Sequence, residues 1–297
     1  MSPSWCGRVL ASGMLGCVQL LPMGAMAIRM AAPSMVTPWA DIVTGEKAQR
    51  LTDASAAKTV LTVCGGGTLC TPIAEGGVGF MSHASYVLDD DGCPAFPLPD
   101  SQASVNLRNA VSKDGTSPAS FFVHGPASTT LLGHVESFDV TSLSEYTRKQ
   151  ALDRSGLSDE ALMSAAWHRV VPERVYFADP VRGSESWVAA SDYTEATANP
   201  LAGANSELIR RLAARPADLL RVGAMFADVS VDEVESCEVL GVDQLGFDLR
   251  TVTLDGARDG EVRRVGFKMP PQNLEDALSL FMKLFQEVYE RQQGWLE

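Results

Sequence analysis

Short runs of alternating apolar and polar residues dominate the first two thirds of the chain. Thr59-Val60-Leu61-Thr62-Val63 predicts a strand ending at the turn Gly65–Gly67, and a lead-in helix is expected over 41–57. Further strands are predicted at Gly67–Thr71 and at Phe80–Leu88, the latter stopped by Asp89-Asp90-Asp91-Gly92, whose Asp-Gly pair signals a hairpin. Pro94–Leu98 continues that hairpin, and its two prolines favour an edge position. Strands at 120–124 and 129–138, at Arg174–Phe177 and at Trp187–Ala189 complete this block. A short helix over 101–111 should turn Val105, Leu107 and Val111 inward, and helices are expected over 142–153 and 158–168. Many short strands with turn signals and few helices favour a barrel over a parallel sheet.

A linker rich in small residues, 195–205, separates this block from one of different rhythm. Helical spacing covers 206–226 and is interrupted by Pro216, which has no amide to donate. Three strands follow, near 236–242, 246–254 and 261–268. The last helix begins after Pro270-Pro271 with Asn273 as cap, and Leu274, Ala277, Leu278, Phe281, Leu284, Phe285 and Val288 recur on one face, as a helix packed on a sheet requires.

Residues 1–40 follow neither pattern. They contain no acid, and Arg8 and Arg29 are their only charges. The apolar stretch Met14–Leu21, then Pro22 and Ala25-Met26-Ala27, then a basic, hydroxylated tail, has the form of a targeting presequence. Such a two-part arrangement suits a plastid, with mitochondrial or secretory import as alternatives. No window reaches the roughly 20 apolar residues of a membrane span, so a soluble mature protein without a span is expected.

Composition narrows the function classes. The chain of 297 residues carries a net charge of −13, all of the acidic excess lying beyond residue 40. Such a body is a poor general binder of nucleic acid. Its six cysteines form no C-x-x-C pair and read as inert thiols. No phosphate-binding loop, H-E-x-x-H or G-x-S-x-G is present, and Gly65-Gly66-Gly67 lacks the following helix that an anion-binding loop needs. The histidines His83, His124, His134 and His168 share no i, i+4 face.

Four segments carry a resemblance: Gly67–Thr71, Ser85–Pro94, Trp167–Phe177 with Trp187-Val188, and Gly241-Val242-Asp243-Gln244-Leu245-Gly246-Phe247-Asp248-Leu249-Arg250. In this order they resemble the FMN-binding split-barrel superfamily of pyridoxamine-phosphate-oxidase-like proteins. Within it they are most similar to the haem-utilisation (HugZ-like) and plastid glutamyl-tRNA-reductase-binding branch. With residues 1–40 read as a targeting presequence, expected to be disordered, the resemblance implies an α+β protein: a split β-barrel over 41–195 and a small α/β domain, α-β-β-β-α, over 196–297. It implies a homodimer acting in tetrapyrrole metabolism, binding haem or glutamyl-tRNA reductase. An FMN-dependent oxidoreductase or haem-degrading enzyme with a dimer-interface pocket is the first alternative, and a scaffold without small ligand the second. The implied ligand contacts are Arg174 for a propionate or phosphate, His168 and His83 as polar groups near a cleft, and Ser101, Asn106 and Arg108 on the phosphate side of a flavin.

The chain departs from the family at several points. Ser104 and Val105 stand where the family has histidine-threonine, and Asp179-Pro180-Val181-Arg182-Gly183 replaces a glycine-phenylalanine-glycine turn. Arg211 and Pro216 occupy the places of two family histidines, and no histidine follows His168.

Overall fold

In the computed structural model, which describes residues 39–72, 79–98, 102–110, 116–256 and 262–296, the chain forms twelve strands and eight α-helices. The first part runs β1 (Ile42–Thr44), α1 (Asp53–Val63), β2 (Gly66–Pro72), β3 (Gly79–Ser85), β4 (Val87–Leu88), β5 (Pro94–Leu98) and α2 (Gln102–Ala110). It continues through β6 (Ser117–His124), β7 (Ser128–Ser137), α3 (Glu145–Ser155), α4 (Asp159–Ser164), β8 (Ala166–Asp179), β9 (Ser184–Ala189) and α5 (Ala190–Glu195). The remainder is α6 (Asn205–Ala213), α7 (Pro216–Ala227), β10 (Val234–Asp243), β11 (Gly246–Thr253), β12 (Val262–Phe267) and α8 (Leu274–Gln292).

Eight strands make one antiparallel sheet, seven in the order β3-β2-β6-β7-β8-β5-β4 and the eighth, β9, paired with β8 off that path. The long strand β8 pairs with β5 through its first half and with β9 through its second. The sheet curls into a split barrel, with β3 brought against β5 and the amide of Tyr86 donating to the carbonyl of Gly65 at 3.1 Å. Its interior is filled by Leu69, Phe96, Phe121, Val123, Leu131, Val170, Val175 and Phe177. Phe121 stacks on Phe96 at 5.8 Å and meets Tyr86 edge-on at 5.2 Å. Among the described residues these side chains fill the barrel interior.

The second sheet has the order β1-β12-β11-β10, so its outer strand comes from the start of the described chain. Phe247, Leu249, Val265 and Phe267 on one face pack with Leu208, Leu212, Phe281 and Phe285 of the covering helices. Trp39, within the stretch read as presequence, lies 5.4 Å from Phe226; residues 1–38 fall outside the described residues. Among the described residues no helix is long and apolar enough to cross a membrane.

Local chemistry explains where the expected elements moved. The strand expected at 59–63 and the helix at 41–57 resolve into β1 and α1, because Thr52 caps α1 by accepting from the Ser55 amide at 3.2 Å and Ala54, Ala56, Ala57 and Lys58 are good helix residues. The β-branched tail stays helical: Thr59 and Thr62 donate back to the Ser55 and Lys58 carbonyls, and Ala54, Ala57 and Leu61 reach the core. Gly66 and Gly67 are strand residues; a Cβ on Gly67 would lie 2.6 Å from the Phe121 ring. The helix expected over 158–168 stops at Ser164, and β8 begins at Ala166. β5 is interior to the sheet path, but β4 covers only Pro94 and Ala95, so Pro97 blocks no ladder on that side. In α2, Leu107 is buried as expected while Val105 is exposed; the buried polar residue is Asn106, whose amide donates to Thr71 Oγ1 at 3.3 Å. Val111 falls outside the described residues.

Candidate functional site

The barrel's outer face is read directly from the register. His83 of β3, Thr68 of β2, Phe122 of β6, Thr130 of β7, Tyr176 of β8 and Trp187 of β9 form one continuous cross-strand row. The next row is Met81, Cys70, Ser120, Leu132, Arg174 and Ala189. Met81 is 71% exposed, Trp187 53% and Phe122 41%, so the face is bare. Met81, Phe122 and Trp187 stand on three separate strands of this face, with Thr68, Ser120 and Thr130 between them, so it mixes apolar and hydroxyl groups.

The face is shaped by a β-bulge. Leu132 pairs with Arg174 while the next residue, Gly133, pairs with Pro172, so Glu173 is the extra residue. A bulge re-aims the side chains around it, and here Glu173 and Arg174 are consecutive exposed residues. Gly133 makes this approach possible: a Cβ there would lie 2.0 Å from the Val171 carbonyl oxygen. A cavity of about 450 Å³ opens beside the bulge, lined by Cys70, Ser120, Leu132, Gly133, Glu173 and Arg174 among others. The Arg174 guanidinium stacks on Trp187, 4.2 Å from its ring centroid, and Trp187 rests on Tyr176 at 5.0 Å. Its donors are therefore held at the cavity edge. A planar cation of this kind suits carboxylate or phosphate.

The bulge also reverses the side-chain alternation of β8. His168 and Arg174 have the same parity, and a regular strand would aim both one way. Before the bulge, however, His168 shares the inward parity of Val170 and pairs with the inward Phe96; after it, Arg174 faces out. His168 thus sits at the barrel's end near Arg108 of α2. Burial, and then the charge of Arg108, pushes its pKa below the usual histidine value. The six residues implied by the resemblance separate accordingly. Arg174 and His83 share the outer face, four strand spacings of about 4.8 Å apart. His168, Asn106 and Arg108 gather at the α2 end. Ser101 falls outside the described residues. Alternation and motif reading singled out neither Glu173 nor His134, which belongs to the outer face beside Pro118. The one signal for them is the glycine at 133 opposite a Pro-Glu pair.

A second cavity, about 300 Å³, lies between α1 and the α6–β10 region, lined by Val60, Val63, Cys64, Ile209 and Leu240. Asn199 reaches the Val242 carbonyl there and Asn205 accepts from the Val242 amide, while Asp179, Arg182, Asp243 and Asp248 of its lining take part in ion pairs. Burial raises the pKa of the Cys64 thiol that lines it, and pushes that of Cys93 up to about 12.

No protein-family model matches the sequence, and no curated protein matches it. Among solved structures, the chain is similar to a haem-binding protein from Mycobacterium smegmatis, with 22% identity and a TM-score of 0.61, over 82% of this chain and 99% of that one. It also matches the protein Atu2129, of unknown function, from Agrobacterium tumefaciens at 16% identity and a TM-score of 0.39, over 78% and 94% of the two chains. A FAD-binding protein from Mesorhizobium loti matches at 18% identity and a TM-score of 0.30, over 40% and 89%. The first likeness establishes the fold: this is a split-barrel protein of α+β class with an appended, helix-covered sheet.

Proposed function

We propose that the chain binds haem on the outer face of its barrel, as a homodimer that brings two such faces together, and that it serves tetrapyrrole metabolism. The observation that carries this reading is Arg174, delivered by the β8 bulge to the edge of a cavity on an exposed face that also bears Met81, Phe122 and Trp187. Haem is a flat apolar ring with carboxylates at one edge. Apolar side chains such as Met81, Leu132 and Phe122 would cover the ring, and Arg174 would grip a propionate. The haem-binding neighbour from Mycobacterium smegmatis supports the choice of ligand through its shared fold alone. On the resemblance in the sequence, the finer role is regulation of glutamyl-tRNA reductase in a plastid.

A flavin is the alternative occupant of the same face. It is less favoured because Asn106, one of its implied phosphate contacts, is buried and donates to Thr71.

The test is a titration of the purified full chain with haemin, read by absorption. A Soret band that saturates is expected, and Arg174→Ala should weaken binding about 10-fold, the effect of one charge-assisted hydrogen bond. Flavin bands in the isolated protein would favour the alternative, and no binding of either would leave a scaffold. Capture of glutamyl-tRNA reductase from a defined mixture tests the regulatory role.

A further inference from the structure

The bulge delivers a second side chain to the site, and it acts on a histidine. Glu173 Oε1 lies 3.2 Å from His134 Nδ1 across the β7–β8 pair. Metal-binding histidines characteristically donate one ring N–H to a carboxylate; the bond fixes the tautomer, holds the ring and strengthens the other nitrogen as a donor. With Nδ1–H given to Glu173, the lone pair is on Nε2. His134 adjoins the cavity through its neighbours: Gly133 before it, Pro118 opposite it on β6 and Glu173 itself all line the space.

The other histidines lack this arrangement. His83 lies over Gly66, where a Cβ would come within 2.6 Å of its ring, and among the described residues no carboxylate pairs with it. His124 stacks on Phe122 at 6.1 Å. His168 faces the barrel interior. Arg174 and His134 stand two residues apart along the β7 register, about 7 Å. A cation for a peripheral carboxylate is thereby set apart from a nitrogen for a central metal.

Resting on the haem reading above, the geometry points to His134 as the residue that would ligate the haem iron and to Glu173 as its positioning residue. The barrel supplies this nitrogen in a chain with no histidine after His168.

The experiment uses the full chain with haemin, read by absorption and by electron paramagnetic resonance. His134→Ala should shift the Soret band and change the ferric spin signal, and added imidazole should restore the wild-type spectrum. Glu173→Gln should keep the wild-type spectrum but weaken haem affinity 10- to 100-fold, as loss of an outer partner of a metal ligand does. His83→Ala should leave the spectrum unchanged. A His134→Ala spectrum identical to wild type, or a ligand signal lost instead in His83→Ala or His124→Ala, overturns the assignment while leaving haem binding intact. Failure of the wild-type chain to bind haemin overturns both.

Discussion

The two sheets dispose of their polar and apolar faces in opposite ways. The four-stranded sheet turns its apolar face to α6–α8 and pins its other face with buried ion pairs. Arg264, 6% exposed, reaches Asp243 at 2.6 Å and Asp248 at 3.4 Å, and donates from Nε to the Gln49 carbonyl. Arg50 holds Asp248 at 2.7 Å; Arg182 of the β8–β9 turn holds Asp179 at 3.0 Å and approaches Asp243 at 4.0 Å. Lead-in, barrel and appended sheet meet in this one charged knot. The barrel sheet instead fills its inside with apolar residues and leaves apolar residues bare outside. An ionic seam joins the chain to itself, and the uncovered face is what remains for another molecule.

The comparison breaks first at Arg264. Arg264→Ala strands Asp243 and Asp248, both nearly buried, with fewer cations than they need; loss of one partner from a buried pair costs about 3–5 kcal/mol. Urea unfolding monitored by tryptophan fluorescence should show it. A loss under about 1 kcal/mol would mean that water already screens the knot. The outer face should respond the other way. Met81→Ser should change stability by no more than about 0.5 kcal/mol, as an exposed substitution does. Self-association in sedimentation should fall if this face seats the second copy, and an unchanged dimer would move the interface elsewhere.

The sequence made the local rules visible and concealed the long-range ones. Asn273 caps α8 as expected, accepting from the Asp276 amide, and Pro216 opens α7 at the point where a single helix was expected to break. Both depend on neighbours a few residues away. Thr59–Val63 misled because β-branched residues usually mark strands, and only the tertiary burial of Ala57 and Leu61 decides for helix. Asp243 and Asp248 lie inside the segment that carried the strongest resemblance. Their partners Arg50 and Arg182 come from distant parts of the chain, so the segment's structural role could not be read. The bulge at Glu173 was hidden for a subtler reason. Strand reading assumes strict alternation, and one extra residue exchanges the faces of all that follow.

That exchange sets up the smallest effect. His168 stands on the inward side of β8 with Nδ1 buried, and burial, aided by the charge of Arg108 and opposed by a hydrogen bond with the Ala166 backbone, holds its folded pKa below the unfolded value. In the window between those two values, the unfolded chain binds the proton and the folded chain does not. Stability from this group is therefore fully present above the ordinary histidine pKa of about 6.5, and is lost as pH falls towards the folded value. His168→Gln removes the titration. The stability gap between wild type and variant, followed by urea midpoint from pH 7.5 to pH 5, should shift against the wild type as the solution becomes acidic. A gap that stays constant, or moves in favour of the wild type, would place His168 in contact with water or a carboxylate, and so on the far side of the bulge from where the register puts it.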